Sequence, residues 1–258
     1  MLAKGWRGLI RIYLAGRMAI EGTELVDESD LPGPLGRVLL ASLALSRGPV
    51  SRVRLASIMW DGELPDQYER SLNPLLSKLR RRLVAAGGDN DLLVSGGGAV
   101  ELRRTATVWI DIEEATRALD AAEGALRRDH PREAWPHAAV ATSIFRRPFL
   151  EGIDLTWAGE QRRSLQGRLL RAHEVTVDVW MLLGDMAQAA VAGRQLVEAD
   201  PFRETSHERL IRIHTPAGNR AAALLAFTDC ERVLRDELGV EPSPLVQRAY
   251  EEALAMRG

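Results

Sequence analysis

The strongest constraint on the fold lies in the second half of the sequence, where helical periodicity runs almost without a break from Ile112 onward. Two small-residue pairs, Gly184-Asp185 and Gly218-Asn219, lie 34 residues apart, and each opens an alanine-rich helical stretch. Such a period is typical of repeat proteins in which helix pairs stack, because one pair does not bury its own apolar face. The pattern therefore predicts an all-α repeat domain in this half.

The beginning of the chain follows a different periodicity. Short runs at Leu9–Tyr13, Met18–Ile20 and Glu24–Val26 alternate apolar and polar positions and are separated by glycines. Alternation with a period of two residues indicates strands, and the glycines supply turns between them. The sequence therefore predicts a small antiparallel sheet ahead of any helix.

Two helical patterns follow this sheet. Pro34 opens the first, and Gly48-Pro49 stops it. Ser51 is placed to cap the second helix, which runs to Trp60 with Val53 on its apolar side. Both helices are short, as expected for a small domain.

A third helix carries a strongly two-sided pattern. Its apolar stripe consists of leucines at helical spacing: Leu72, Leu75, Leu76, Leu79 and Leu83. The opposite face holds polar and basic residues: Arg70, Ser77, Lys78 and Arg81, flanked by Asn73, Arg80 and Arg82. A basic amphipathic helix after a short helix and a turn is typical of a DNA recognition helix, and the alternative is a solvated surface helix.

A hairpin comes directly after the third helix. Leu92–Ser95 and Ala99–Arg103 predict two short strands around the glycine turn Gly96–Gly98. Together with the sheet and the three helices, this hairpin completes the order of a winged helix. The fold class predicted is thus mainly α, with an α+β winged helix-turn-helix followed by an all-α helical repeat domain.

The length and composition of the chain agree with a two-domain protein, and its single cysteine agrees with a reducing compartment. The 258 residues are 46% apolar with a net charge of −2, and Cys230 is the only cysteine. Residues 1–105 carry 15 basic and 12 acidic side chains, against 19 and 24 in residues 106–258, giving +3 and −5. We therefore place the domain boundary between residues 105 and 106, and expect a cytoplasmic protein without a membrane segment.

Several motifs resemble one family of bacterial regulators. The C-terminal ones are Phe145–Gly152, Asp200–Glu204, Gly218–Ala221 and Glu231–Pro244, and the N-terminal ones are Leu14–Gly16, Pro49–Ser51, Leu55–Trp60, Ser71–Asn73 and Ser77–Arg81. Together they resemble the Streptomyces antibiotic regulatory protein (SARP) family. That family joins an OmpR-like winged helix, here about residues 9–104, to a tetratricopeptide-like bacterial transcriptional activator domain, here about residues 110–256.

The resemblance implies a function and a set of partners. It implies a transcriptional activator that binds direct repeats in double-stranded promoter DNA, often as a side-by-side pair, and recruits RNA polymerase. Its targets would often be secondary-metabolite genes, including those for antibiotic biosynthesis. A homodimer is expected at least on DNA, and no cofactor is implied.

The third helix and the wing supply the candidate DNA contacts. The predicted set comprises Arg70, Asn73, Ser77, Lys78, Arg81, Arg82, Arg103 and Arg104, the last two from the far end of the wing. In the second half, Arg203 and Glu204 are candidates for a partner contact, with an internal structural pair as the alternative.

Two departures from the winged-helix pattern leave a second function open. Pro74 falls inside the third helix, where we predict that it opens or kinks the helix with Asn73 as N-cap, and Ala99 stands where the family tends to carry an aromatic residue. With the modest +3 charge, they support a tetratricopeptide-type adaptor whose winged helix no longer binds DNA. An enzyme is not expected, because no set of acid, base, nucleophile and metal ligands is evident.

Overall fold

A computed structural model describes residues 9–215 and 218–255, which pack as two compact units. The first unit contains the residues up to Ala115 together with Ile144–Leu165, and the second contains Thr116–Ser143 and the residues from Gln166 onward. The strands are β1 Ile10–Tyr13, β2 Ala19–Glu21, β3 Leu25–Val26, β4 Val50–Ser51, β5 Leu93–Gly96, β6 Ala99–Leu102 and β7 Val108–Ile110. The helices are α1 Gly33–Leu45, α2 Arg52–Met59, α3 Tyr68–Ala85, α4 Asp111–Arg127, α5 Pro131–Phe145, α6 Thr156–Leu182, α7 Met186–Ala199, α8 Glu204–His214, α9 Arg220–Leu238 and α10 Pro244–Leu254. The predicted fold class, mainly helical with a small N-terminal sheet region, is confirmed.

The first sheet has the strand order β3–β2–β1–β7. Its β1, β2 and β3 pair in antiparallel fashion, as predicted. Strand β7 joins β1 in parallel, with Ile10 opposite Val108 and Ile12 opposite Ile110, and the sequence did not predict it. Three residues are too short a run to show alternation, so only the neighbouring strand identifies this segment as part of the sheet.

Helices α1 and α2 begin where the sequence predicts. Pro34 lies in the first turn of α1, and the Ser51 side chain accepts a hydrogen bond from the Arg54 backbone N–H at 3.1 Å, which caps α2. Val53 is 54% exposed, so its predicted place on the apolar side of α2 was wrong. The buried side of α2 is set by Leu55, and two residues turn an α-helix by about 200°, which directs Val53 to solvent.

Pro74 does not open α3. The helix begins at Tyr68, six residues earlier, so the predicted N-cap at Asn73 is wrong. The proline removes the hydrogen bond that residue 74 would donate to the Arg70 carbonyl. Leu72 is nevertheless fully buried in the leucine stripe. Its packing keeps the turn before Pro74 helical, although a proline disfavours a helical conformation in the residues that precede it.

The predicted wing is present as the hairpin of β5 and β6. Gly97 and Gly98 form its two-residue turn with φ of 59° and 76°, a left-handed conformation at both positions that is typical of a type I′ turn. Strand β4 adds to the other edge of β6, with Val50 opposite Val100, which gives the order β4–β6–β5. The wing is therefore one part of a three-stranded sheet.

The first unit also takes in a segment from the activator half of the sequence. Ala15 bridges to Phe149, and the Gly16 N–H donates to the Pro148 carbonyl at 2.7 Å. Asp61 accepts from the Thr156 N–H at 2.9 Å and so caps the start of α6. By packing, the first unit thus extends to Ala115 and includes Ile144–Leu165, whereas the boundary at residues 105/106 stays a prediction about the functional division.

The second unit repeats one helix-pair design at the predicted 34-residue spacing. Asp185 caps α7 by accepting from the Gln188 N–H at 3.0 Å, and Asn219 caps α9 by accepting from the Ala222 N–H at 3.2 Å. The glycines that precede these caps both have positive φ. Equivalent caps 34 residues apart show that the helix pairs α7/α8 and α9/α10 are two copies of one unit.

Helix α10 closes this stack at its C-terminal end. Val246 and Ala249 are buried against α8 and α9, and Tyr250 stacks on Phe227 with ring centroids 4.0 Å apart. Cys230 lies in the same cluster, where burial raises the pKa of its thiol to about 12. The thiol therefore stays protonated and unreactive at neutral pH.

Candidate nucleic-acid interface

Helix α3 presents a cationic surface above a buried leucine stripe. Leu72, Leu76, Leu79 and Leu83 are at most 3% exposed and hold the helix to the core of the first unit. The side chains predicted to contact DNA from this helix all lie on its exposed positions: Arg70, Asn73, Ser77, Lys78, Arg81 and Arg82. The structure thus brings these six residues onto one helix and leaves them accessible.

The charge of α3 is concentrated on that surface. The helix carries five basic residues and one acidic residue, Glu69, which gives a net charge of +4. Arg82 is partly compensated because its guanidinium lies 3.6 Å from the carboxylate of Asp30. Lys78 and Arg81 line a groove of about 430 Å³ with Arg82 and the segment Ser29–Pro32. Lys78 and Arg81 are exposed and form none of the ion pairs found among the described residues, so both ammonium and guanidinium groups are accessible on α3.

The wing is attached to α3 through two arginines that the prediction of DNA contacts did not include. Arg80 donates from Nε and Nη2 to the Leu93 carbonyl at 3.2 and 3.1 Å, and from Nη2 to Ser95 Oγ at 3.3 Å. The Arg52 backbone N–H donates to the Gly98 carbonyl at 2.9 Å, while its side chain donates to Asn73 on α3. Helical spacing placed Arg80 on a flank of α3, but only the hairpin supplies its acceptors.

The two arginines behind the wing occupy different environments. Arg103 is exposed and lines a cleft with Asp89 and Asp91 at the base of the hairpin, away from the glycine turn. Arg104 donates to the Ser46 carbonyl at 2.7 Å and pairs with Glu113, and it also binds the Ala44 carbonyl. Burial lowers the pKa of the Arg104 guanidinium, with a smaller effect from the nearby Arg47.

Arg104 therefore serves inside the first unit. Its carbonyl acceptors are at the C-terminal end of α1, where the last carbonyls have no hydrogen-bond donor within the helix. A cation there donates to them and interacts favourably with the helix dipole. A guanidinium engaged in this way does not face a DNA phosphate. We therefore leave Arg104 out of the DNA contacts proposed below, whereas Arg103, whose side chain is exposed, stays a predicted contact from the far end of the wing.

The residue that sequence reasoning missed is Asp111. Its buried carboxylate accepts from the backbone N–H groups of Leu14 and Ala15, each at 3.0 Å, and from that of Ile112 at 2.7 Å. Burial raises the pKa of this carboxyl, and the three N–H groups oppose that rise. An aspartate directly before a helical run was the available signal, but it indicates only an N-terminal cap.

Arg203 and Glu204, the candidates for a partner contact, both have internal partners. Arg203 Nη2 donates to Glu174 at 2.7 Å, and Glu204 accepts from the Ser243 N–H at 2.5 Å, which caps α10. These contacts match the structural alternative given above. No interface is proposed for either residue.

A winged helix with a cationic third helix, followed by a stack of helix pairs, defines a class of modular transcriptional regulator. The family model described as "Bacterial transcriptional activator domain" matches residues 110–254. The chain belongs to that family, and it is a regulator of the SARP type.

Several curated proteins and one solved structure are similar to the chain. Regulatory protein AfsR of Streptomyces coelicolor is 30% identical over 86% of this chain and 22% of its own length. Transcriptional regulator RedD of the same organism is 30% identical over 85% of this chain and 63% of its own length. The structure of Mycobacterium tuberculosis EmbR in complex with a low-affinity phosphopeptide has a TM-score of 0.83 at 23% identity, covering 96% of this chain and 66% of that one.

The similarities cover different shares of the relatives and support different conclusions. The chain spans about a fifth of the length of AfsR. The similarity to EmbR, at 23% identity, shows the fold. The curated relatives are named as regulators and not as enzymes. Within residues 9–215 and 218–255, no helix combines the length and apolar character needed to cross a bilayer.

Proposed function

We propose that this protein is a cytoplasmic transcriptional activator that binds direct repeats in promoter DNA through α3 and the wing. The exposed cationic surface of α3, held to the core by its buried leucines, is the observation that carries the proposal. An α-helix fits the major groove, where base edges present distinct donors and acceptors. Two molecules side by side would occupy the two repeats.

The residues on α3 are suited to different parts of such a contact. Lys78 and Arg81 are exposed in the central part of α3, so we assign base edges or phosphates to them. Asn73 is positioned by Arg52, and Ser77 lies one turn from both Asn73 and Arg81. Arg70 and Arg82 lie toward the two ends of α3 and are suited to flanking phosphates.

The helical second unit is proposed to contact RNA polymerase. The activator family to which residues 110–254 belong supports this role, and the acidic balance of the second half suits a protein partner. Control of secondary-metabolite genes rests on the SARP resemblance.

The proposal predicts that the Lys78→Ala/Arg81→Ala double variant loses DNA affinity. The probe is a duplex selected by the full wild-type chain from a randomised library, and binding is measured by fluorescence anisotropy at two salt concentrations. Each lost base contact should cost about 1–3 kcal/mol, so we expect at least a tenfold loss. A purely phosphate contact would instead weaken all duplexes alike and lower the salt dependence.

Arg127→Ala/Arg248→Ala is the matched control, because it removes the same charge from exposed sites outside the winged helix. Wild-type affinity in the α3 double variant would remove α3 as the recognition helix. Failure of the wild-type chain to select any sequence, at either salt concentration, would favour the adaptor function. The continuity of α3 through Pro74 removes one of the sequence arguments for that alternative.

A further inference from the structure

The side chain of Arg80 joins α3 to the wing. Its Nε and Nη2 atoms both donate hydrogen bonds to the Leu93 carbonyl, and Nη2 also donates to Ser95 Oγ. Leu93 and Ser95 are two residues apart on β5, so they mark the same side of that strand. The guanidinium of one residue of α3 therefore contacts two residues of β5, which are separated by a single residue.

Strand β5 is an edge strand in the order β4–β6–β5. An edge strand presents backbone groups that have no strand partner, and a buried or half-buried carbonyl in that position needs a donor. Arg80 supplies that donor to Leu93. The planar guanidinium offers two parallel N–H groups in a fixed geometry, which a lysine ammonium does not reproduce.

The turn of the hairpin is held to α3 by Arg52, independently of Arg80. The Arg52 N–H donates to the Gly98 carbonyl in the wing turn, and the Arg52 side chain donates to Asn73 in the second turn of α3. The hairpin thus has one attachment at its turn and another along β5. Since β4 already pairs with β6, Arg80 is the contact that ties the remaining edge of the hairpin, β5, to α3.

We propose that Arg80 is a positioning residue that sets the orientation of the wing against the recognition helix and thereby sets DNA specificity, without itself contacting bases. This inference rests on the proposed function. The Nε and Nη2 donors of Arg80 are occupied by Leu93 and Ser95, so they are not available to a base edge. Loss of Arg80 would release the β5 edge while Arg52 still holds the turn, so that the hairpin could tilt relative to Lys78 and Arg81 and the wing and α3 would no longer fit one site together.

The test compares Arg80→Lys and Arg80→Ala with wild type in the full chain. Each variant binds the duplex selected by wild type and a scrambled duplex of the same composition, at two salt concentrations. We expect both variants to lower the ratio of the two affinities about tenfold or more. Arg80→Lys keeps the charge, so its affinity for the scrambled duplex and its salt dependence should stay within twofold of wild type.

A second measurement detects the wing directly and needs no DNA. Amide hydrogen exchange at residues 94–99 should accelerate in Arg80→Lys, while exchange in α1 stays unchanged. Ser95→Ala removes one of the three hydrogen bonds and should shift both measurements in the same direction by a smaller amount. It serves in place of Arg80→Ala if that variant does not fold. Arg248→Ala is the control for loss of one exposed positive charge.

Three outcomes would overturn the inference. The first is wild-type specificity in Arg80→Lys, and the second is unchanged exchange in the wing. The third is an equal loss on both duplexes in Arg80→Ala with a weaker salt dependence, which identifies a direct phosphate contact. If wild type selects no duplex at all, the proposed function fails, and the exchange measurement still decides whether Arg80 holds the wing.

Discussion

At the scale of single residues, the buried carboxylate of Asp111 connects distant parts of the first unit. It is 1% exposed and binds the backbone of Leu14 and Ala15, nearly a hundred residues earlier in the chain. These N–H groups lie just beyond β1, and Asp111 follows β7, the parallel partner of β1. One side chain thus completes the hydrogen bonding where the two strands end.

Replacing Asp111 with alanine should destabilise the protein by about 2–4 kcal/mol. The change leaves three N–H donors, those of Leu14, Ala15 and Ile112, without the carboxylate acceptor, and each unpaired donor costs about 1–3 kcal/mol. Part of this cost is offset because the buried carboxylate is itself desolvated in the folded protein. Urea unfolding monitored by circular dichroism measures the free energy. Asp111→Asn keeps one acceptor oxygen and should cost less than alanine. Equal stability of Asp111→Ala and wild type would show that water or a rearranged loop replaces the carboxylate.

At the scale of elements, α3 is continuous although it contains a proline at an exposed position. Pro74 lies in the second turn of a helix that runs from Tyr68 to Ala85. The leucines on the buried face hold both sides of the proline to the core. Packing therefore outweighs a local preference that, taken alone, predicts a helix start at this position.

Pro74→Ala should raise the stability of the protein by about 1–2 kcal/mol. Alanine restores the hydrogen bond to the Arg70 carbonyl, while the greater freedom of the unfolded chain offsets part of the gain. Thermal unfolding measures the change as a higher Tm. Ser77→Ala, at another exposed position of α3, is the control and should shift Tm less. A lower Tm in Pro74→Ala would mean that the proline fits a distorted turn that alanine does not adopt.

Removal of α10 should destabilise the second unit and leave the first unit folded. A chain that ends after Pro242 loses Val246, Ala249 and the stacking of Tyr250 on Phe227. The exposed apolar face of α9 then costs several kcal/mol at about 25 cal/mol per Å² of apolar surface. Circular dichroism and a melting curve measure the loss. A chain that ends after Ala255 is the control, and full helicity with an unchanged Tm in the shorter chain would show that α10 is dispensable.

At the scale of the whole molecule, the chain does not divide into packing units at one point. The first unit contains β7 and the segment Ile144–Leu165, which lie beyond the boundary predicted from charge and motif order. Arg162 reinforces this segment by donating to the carbonyls of Leu150 and Ile153, each at 3.1 Å. The core of the first unit is therefore completed by residues that lie beyond the winged-helix part of the sequence.

A fragment of residues 1–105 should consequently fold poorly, whereas a fragment of residues 1–165 should unfold cooperatively. The shorter fragment lacks β7, Asp111 and Phe149, so it exposes the edge of β1 and leaves Leu14 and Ala15 without their acceptor. Urea unfolding followed by tryptophan fluorescence compares the two. A sharp transition of equal midpoint in both fragments would refute the requirement for the later segments.

Much of the architecture was predictable because it depends on local signals. Each of these signals lies within a few neighbouring residues: the leucine period of α3, the cap at Ser51, the glycine turn of the wing, and the caps at Asp185 and Asn219. Backbone geometry and side-chain periodicity act over that same range, so sequence alone determined most of the elements other than β7, their order and the exposed basic face of α3.

The tertiary structure decided what depends on residues far apart in the chain. It gave β7 its parallel partner, gave Asp111 its donors and gave Arg80 and Arg104 their carbonyl acceptors. It also kept α3 intact through Pro74, because Leu72 is buried. A charged side chain looks the same in the sequence whether it faces DNA or a carbonyl of its own protein. Only folding places an acceptor beside Arg104 while leaving Lys78 exposed.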